Sequence, residues 1–413
     1  MKDADQVQAR SRSAQGSGTT VMALATTTWI QAVVSWAMLT VPVFAPSAAA
    51  ELGLSASQVG YFAGIAYIGA MTGALLGGGL VPRYGAITLS QIGMLVCALA
   101  LALAASGWLA LFALAGLLLG LGYGPTTPAS SHVLSRHTPP RLMSLVFSIK
   151  QTGVPLGGAL AGATVPPLTV AFGWRGAALG VALACLLTIA LAHLTRRRLD
   201  ADRNPDEPLL RGSPLAPVRF VLGRADLRVL ALTSVVFAAM QQSLGVFLVV
   251  YLTGEIGLGL VTAGLVLSIS QGAGMAGRIF WGWLADRLRL SRPILGGLAL
   301  GMAVASGGMA LCSAEWPLAA IVLVAALYGV TAVGWNGVLL AEVARLATPA
   351  EASRATGGTL FVTFFGVAVG PALFGEIARQ TGSFALMFLI LAVLAVPCAA
   401  TLLWNRRDAA PVH

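Results

Sequence analysis

The chain has 413 residues, of which 57% are hydrophobic and only 10% charged, and its formal net charge is +10. Soluble globular domains are about a quarter charged, so this composition excludes an ordinary soluble protein. Apolar runs of roughly 20 residues recur from end to end, and each is long enough to cross a bilayer as a helix. The sequence therefore predicts a polytopic, all-α membrane protein whose positive charge reflects basic loops rather than nucleic-acid binding.

The first 20 residues are polar and lack the short apolar core of a signal peptide, so they are predicted to form a disordered tail. Four cysteines lie inside apolar runs without metal-ligand spacing and are expected to pack as small hydrophobic side chains: Cys97, Cys185, Cys312 and Cys398. No nucleophile–base pair, metal triad or phosphate loop appears in any span. We therefore expect no enzymatic activity, no cofactor and no metal site.

Twelve membrane spans are predicted, and the long hydrophilic segment 196–226 divides them into six plus six. The spans cover residues 21–46, 57–81, 86–106, 108–134, 142–168, 174–195, 227–253, 261–285, 293–312, 316–343, 354–378 and 381–404. This pattern predicts an N-terminal bundle at 21–195, a linker at 196–226, a C-terminal bundle at 227–405 and a short tail at 406–413.

The distribution of arginine and lysine predicts the orientation. If the N-terminus is cytoplasmic, the outer loops contain only Arg175 and Arg379, and the spans contain Lys150 and Arg278. The other 21 of the 25 basic residues then lie on the cytoplasmic side, as the positive-inside rule requires. We therefore expect a multi-pass protein of the cell (inner) membrane with both termini and the linker in the cytoplasm.

The two halves of the chain repeat each other. A shift of 213 residues superimposes one set of span-five residues on span eleven: Arg141, Gly153, Val154, Gly157 and Gly162 onto Arg354, Gly366, Val367, Gly370 and Gly375. A shift of 204 places "GGLVPRYG" (78–85) on "GWLADRLR" (282–289). Two homologous six-helix halves are typical of transporters, which rock one half against the other around a central site.

These features resemble the major facilitator superfamily over essentially the whole chain. "GWLADR" at 282–287 is similar to the loop signature of that family, whereas the first-half copy has Pro82 where the family usually has aspartate. "GVPLGG" in span five resembles the family's glycine–proline motif, and "GRIFWGWLADR" in span eight resembles monocarboxylate and oxalate/formate-type carriers. The resemblance implies two pseudo-symmetric six-helix bundles around a central substrate cavity.

Two positive charges fall in the middle of predicted spans. Lys150 lies about 13 Å from the cytoplasmic start of span five, and Arg278 lies about 12 Å from the cytoplasmic end of span eight. A charge in lipid costs at least about 2.5–3.5 kcal/mol, so both side chains should face a cavity or a partner. No carboxylate is predicted at that depth, which indicates that an anionic substrate supplies the counter-charge.

Other readings of this pair stay open. Arg278 could bond carbonyls at a broken helix, and Lys150 could pair with Glu342 or be neutral because of burial. Further candidates for substrate binding are polar residues at similar depth: Gln271, Gln31, Tyr123, Asn336 and Gln241. Each of these is as readily explained by helix–helix hydrogen bonding.

Gating residues are predicted from the loop and glycine–proline motifs. An aspartate can cap the N-terminus of another span, and the family resemblance implies that for Asp286 this is span five near Arg141, a contact that would hold the cytoplasmic side closed. The other candidates at the two loop signatures and in span five are Arg287, Gly282, Arg83, Gly157 and Pro155. The charged residues of the loops could equally be solvated, and the glycines and proline could equally be static packing features.

The sequence as a whole predicts a monomeric secondary transporter for a small organic anion, a mono- or dicarboxylate. Proton cotransport through Lys150 or Glu342, anion exchange and uniport are all compatible with these residues. The alternatives are a drug or amphiphile exporter of the same fold and a membrane sensor that does not transport. A cationic-drug exporter should bury an acid, and a sensor should carry a signalling domain; neither feature is present in the sequence.

Overall fold

The computed structural model describes residues 2–139, 142–206, 216–288, 290–347 and 351–404. These ranges contain helices and turns and no β-strand. The helices are α1 Lys2–Leu52, α2 Val59–Tyr84, α3 Ala86–Ala104, α4 Leu109–Tyr123, α5 Thr126–His137, α6 Met143–Gln151, α7 Gly153–Leu199, α8 Ala216–Gly223, α9 Ala225–Gly254, α10 Leu260–Leu288, α11 Ser291–Leu311, α12 Leu318–Ala332, α13 Trp335–Leu346, α14 Ala352–Thr381 and α15 Phe384–Trp404.

Twelve membrane crossings are present in the described part of the chain, as the sequence predicts. Ten stretches are long and apolar enough to span a bilayer. One of them, Ile149–Leu199, contains two crossings because α7 is interrupted at Gly173, whose φ is +72°. Helix α2, with 26 residues, adds the twelfth. Spans four, five and ten each consist of two helical pieces: α4 with α5, α6 with the first part of α7, and α12 with α13.

The two ends of the bundle differ in charge. The end that holds Tyr84, His137, Leu199, Leu288 and Trp404 carries most of the described arginines, and we call it the basic face. The other end, called the opposite face, holds the helix ends at Leu52, Ala104, Gly254, Leu311 and Thr381, with four glutamates and two arginines: Glu51, Glu255, Glu315, Glu376, Arg175 and Arg379.

The repeated glycines occupy equivalent contacts in the two halves. A Cβ on Gly157 would lie 2.3 Å from the Ala32 carbonyl oxygen of span one, and a Cβ on Gly370 would lie 2.8 Å from Ala239 of span seven. The next glycine in each repeat lies between the halves, where Gly162 contacts α10 and Gly375 contacts the beginning of α2. Because a side chain at these positions would collide with backbone or a neighbouring side chain, glycine lets the helices pack closely. The pseudo-symmetry predicted from the sequence is therefore present in the packing.

Helical structure extends beyond the predicted spans at two places. Helix α1 begins at Lys2, within the segment predicted to be a disordered tail, and its alanines, glutamines and arginines favour helix. Helix α8 lies inside the predicted linker, with Val221 fully buried beside Gly358 of α14 and Arg219 exposed. One apolar face is enough to anchor such a short helix on the C-terminal half.

The four cysteines are free and buried, as the sequence predicts. No group of histidine, cysteine and acidic residues within the described ranges could hold a metal ion.

Candidate functional site

Three spans are broken near the middle of the membrane: span four at Gly124–Pro125, span five at Thr152 and span ten at Val333–Gly334. The break in span five has a local cause. Pro155 has no N–H, so the carbonyl of Gln151 four residues earlier lacks its helical donor. In a membrane, such a carbonyl must find a donor elsewhere in the protein.

Arg278 of α10 supplies that donor. Its Nη1 donates to the Gln151 carbonyl oxygen at 2.9 Å, and its Nε donates to the Val333 carbonyl oxygen at 2.9 Å. The first bond joins the two halves of the protein, and the second ties α10 to the break in span ten. A guanidinium has five N–H donors, so three remain after these two bonds. Arg278 therefore bonds carbonyls at broken helices and still has donors for a ligand.

Lys150 is 2% exposed and is among the largest fully buried side chains of the described residues. Its Nζ donates to the Gln151 side-chain oxygen at 3.4 Å, at the long end of hydrogen-bond distances. It also lies close enough to Arg278 for the two charges to interact. Both cations meet at the broken end of α6, one from each half.

Glu342 is not the partner of Lys150 in this structure. The Glu342 carboxylate is 1% exposed and accepts hydrogen bonds from Arg292 at 3.1 Å and from Arg345 at 2.7 Å. No acidic side chain among the described residues forms an ion pair with Lys150 or Arg278. Two like charges without a counter-ion attract an anion strongly at this depth, because the surrounding dielectric screens poorly.

A cluster of uncharged polar side chains extends the site into span one. Tyr123, the last residue of α4, lies beside Gln31, Ser35 and Arg278. Gln31 is fully buried, and its amide donates to the Ser35 hydroxyl at 3.3 Å. Its carbonyl oxygen has no partner among the described residues. The predicted candidates Gln31 and Tyr123 therefore lie together and next to Arg278.

The other predicted polar candidates lie on the C-terminal half. The Gln241 side-chain oxygen accepts hydrogen bonds from Trp335 Nε1 and from the Asn336 amide, both at 3.1 Å. Gln271 is 6% exposed and lies against Gly158 of span five. Gln241 and Asn336 thus bond to each other, whereas Gln271 lies at the boundary between the halves and its side chain forms no hydrogen bond with the described residues.

The predicted gating residues lie on the basic face or in the packed core. Asp286 and Arg287 are exposed; the described residues form no hydrogen bond or ion pair with Asp286, and the Arg287 guanidinium is 5.8 Å from the Trp283 ring centroid. Arg141, near the predicted capping site, lies outside the described residues. In the first-half loop, Arg83 lies over the ring of Tyr84, 5.8 Å from its centroid. In the second-half loop, no neighbour lies within 4 Å of a Cβ built on Gly282.

The hydrogen bonds that join the two halves, within the described residues, lie at mid-depth or near the opposite face. They are Arg278 to Gln151, Tyr67 to Gln242 at 2.7 Å, and Tyr61 to Glu376. These bonds connect the two halves at mid-depth and near the opposite face, whereas Asp286 on the basic face forms no hydrogen bond with the described part of the other half.

The Tyr61–Glu376 bond is a contact that our sequence reasoning missed. Glu376 also accepts bonds from Arg379 at 2.8 Å and from Gln380 at 2.6 Å, so its carboxylate is held in place. Beside it, a Cβ on Gly60 would lie 2.3 Å from the Pro371 carbonyl oxygen. The glycines of the repeat could have indicated this close crossing of spans two and eleven, but no motif identifies Tyr61.

A family model described as the Major Facilitator Superfamily matches residues 24–360, which is most of the chain. The chain belongs to the Major Facilitator Superfamily. The resemblance seen in the loop signature and the repeat is therefore confirmed, and the protein is a transporter of this family.

Several curated relatives span nearly the whole chain at low identity. A hexuronate transporter of Bacillus subtilis is 27% identical over 85% of this chain and 86% of its own length. A gallate transporter of Pseudomonas putida is 28% identical over 87% and 86%, respectively. Monocarboxylate transporter 11 of Mus musculus is 26% identical over 84% and 78%.

The fold is also that of solved transporters. A bacterial homologue of the human lysosomal transporter Spinster, in an inward-facing and unoccupied conformation, superimposes with a TM-score of 0.73 over 95% of this chain and 99% of that chain, at 16% identity. At that identity the likeness concerns the fold alone. Together with the twelve crossings, it confirms the predicted two-bundle architecture.

Proposed function

We propose that the protein is a secondary transporter for small organic anions, and that Arg278 and Lys150 bind the anionic group. The observation that carries this proposal is the meeting of two cations, one from each half, without an acidic partner among the described residues. A carboxylate placed between them would offset the repulsion of the two charges. The relatives named for hexuronate, gallate and monocarboxylates support the same substrate class.

The two cations would bind the anionic group in different ways. The free N–H groups of Arg278 can hold a carboxylate through two parallel hydrogen bonds, while the Lys150 ammonium acts as a point charge. Because Arg278 belongs to one half and Lys150 to the other, an anion bound to both would draw the halves together. Gln31, Tyr123 and Gln271 would contact the remainder of the substrate, and Gln241 with Asn336 would line the C-terminal side.

We propose that the basic face is cytoplasmic and that the carrier lies in the inner membrane as a monomer. The positive-inside rule supports this orientation. The closed contacts at the opposite face then correspond to a carrier open toward the cytoplasm. In the reverse state, Asp286 would cap the N-terminus of span five, and Asp286→Asn would shift the population toward the cytoplasm-open state. Unchanged labelling of cysteine probes introduced on the basic face would contradict this gate.

Coupling is proposed to be proton symport or anion exchange. Since two arginines already bind Glu342, Lys150 is the remaining candidate for a group that exchanges a proton during transport. Uptake by proteoliposomes separates the two modes. Proton symport requires accumulation driven by an inward pH gradient, whereas exchange requires an anion trapped inside the vesicles.

The substrate is tested by the thermal stability of the purified protein with glucuronate, lactate, 4-hydroxybenzoate and gallate. A ligand at 100 times its Kd stabilises the folded state by about 2.7 kcal/mol. We expect at least one carboxylate to stabilise the wild type and not the Arg278→Gln/Lys150→Gln variant. Equal stabilisation of both proteins would refute the site, and stabilisation by none of the anions would refute the substrate class.

An apolar cavity supports a second candidate, an exporter of apolar amphiphiles. It has a volume of about 220 Å³ and lies between α1, α2 and α4, near the opposite face, with Phe44, Phe62 and Phe112 in its lining. It contains neither Lys150 nor Arg278. Vesicles that extrude a lipophilic dye and take up no carboxylate would favour this function.

A further inference from the structure

A second basic site lies at the end of α7 on the basic face, far from the central cations. His193, Arg196, Arg197, Asp200 and Arg203 line a cavity of about 510 Å³. The first four recur at intervals of three and four residues, so they share one face of the helix. A cavity of this volume has room for a phosphate group with a small substituent.

The arginines of this cavity lack carboxylate partners, unlike several others on the same face. Arg136 pairs with Asp202, Arg224 with Asp226, and both Arg292 and Arg345 pair with Glu342. No such ion pair forms between Arg196, Arg197 or Arg203 and any residue of the described ranges. Three guanidinium groups therefore line the cavity without forming an ion pair to any described carboxylate.

The one carboxylate in the lining is already engaged. Asp200 is 6% exposed and accepts hydrogen bonds from the backbone N–H groups of Ile87 and Thr88, at 2.7 and 2.9 Å, and from the Thr88 hydroxyl at 2.7 Å. Its charge is thus directed at the N-terminus of α3, where the helix dipole stabilises it. It neutralises the arginines only in part.

The depth of the cavity matches the lipid headgroups. Arg196 lies 23 residues after the break at Gly173 on the opposite face, which is about 34 Å along the helix. The hydrocarbon core is about 30 Å thick and the bilayer with headgroups about 40–45 Å. The guanidinium groups are therefore at the level of the phosphates of the leaflet on the basic face.

We propose that this cavity binds the phosphate group of an anionic phospholipid. Arginine forks match phosphate oxygens, and basic pockets on the cytoplasmic side of membrane proteins are suited to such headgroups. A free phosphate ion has the same chemistry, and the experiment distinguishes the two sources. The inference does not depend on the transport substrate, because the cavity shares no residue with the central site.

The test compares the affinity of the detergent-purified protein for dioctanoyl phosphatidylglycerol, dioctanoyl phosphatidylcholine and sodium phosphate at matched ionic strength, measured by thermal unfolding and native mass spectrometry. The variant is Arg197→Gln/Arg203→Gln, which changes two exposed side chains of the cavity lining. The control is Arg219→Gln/Arg228→Gln, which removes two exposed arginines from the same face outside the cavity.

We expect phosphatidylglycerol to bind the wild type and the control more tightly than phosphatidylcholine does. Each arginine removed takes away a charge-assisted hydrogen bond to the phosphate, so the variant should lose roughly ten-fold in affinity per arginine. Equal affinity of the variant and the wild type would overturn the proposal, as would an equal loss in the control, which indicates diffuse surface charge. Phosphate ion that binds as tightly as the lipid would overturn the lipid assignment.

Discussion

Replacing Arg278 by lysine separates charge from hydrogen-bond geometry at the proposed anion site. Arg278 makes two bonds of 2.9 Å, to the carbonyls of Gln151 and Val333, and the remaining donors are free for a ligand. A lysine keeps the positive charge but has a compact head with three donors. It cannot hold both carbonyls and also bind a carboxylate through two parallel hydrogen bonds.

The expected loss follows from the hydrogen bonds to a charged group. Each contributes about 1.5–3 kcal/mol, so one lost bond to the substrate weakens binding about 10- to 150-fold. Arg278→Gln also removes the charge and should bind more weakly than Arg278→Lys. Both variants leave a buried carbonyl short of a donor, so some loss of stability accompanies the loss of affinity.

The assay is isothermal titration of the purified variants with the carboxylate that stabilises the wild type best, after size-exclusion chromatography has shown that they are folded. Arg345→Lys is the matched control, because Arg345 is 57% exposed and its ion pair with Glu342 is distant from the ligand. Lysine keeps a positive charge beside the buried Glu342 carboxylate, which Arg292 also holds, so this control should bind like the wild type. If the affinity of Arg278→Lys for the carboxylate is within about three-fold of that of the wild type, the paired N–H groups of the Arg278 guanidinium do not bind the substrate.

Three further substitutions test the gate and the packing. Tyr61→Phe removes the bond to Glu376 across the opposite face and should increase the labelling of cysteine probes introduced at that face; unchanged labelling would show that the bond does not hold the gate. Gly60→Val places a side chain on the Pro371 carbonyl, so uptake should fall while the variant still binds substrate. Normal uptake would show that spans two and eleven need not approach closely here during transport. Asp200→Ala removes the acceptors that cap α3 and should lower the free energy of unfolding by about 1–2 kcal/mol, measured by thermal unfolding; a stability equal to that of the wild type would contradict the cap.

The membrane architecture could be read from the sequence because it depends on local properties. Apolar length determines the spans, since lipid provides no hydrogen bonds and each crossing must be helical. The repeated glycines revealed the two halves because close helix packing excludes side chains at the same positions in both. The depth of Lys150 and Arg278 followed from the rise of a helix alone.

The contacts between distant residues were decided only by the tertiary structure. The sequence offered Glu342 as a partner for Lys150, but Arg292 and Arg345 occupy it, because tertiary packing places their helices side by side. The bond from Arg278 to Gln151 depends on the carbonyl that Pro155 leaves open, and on the approach of α10 to that carbonyl. Local rules predict the first of these conditions, and only the packing of the two halves provides the second.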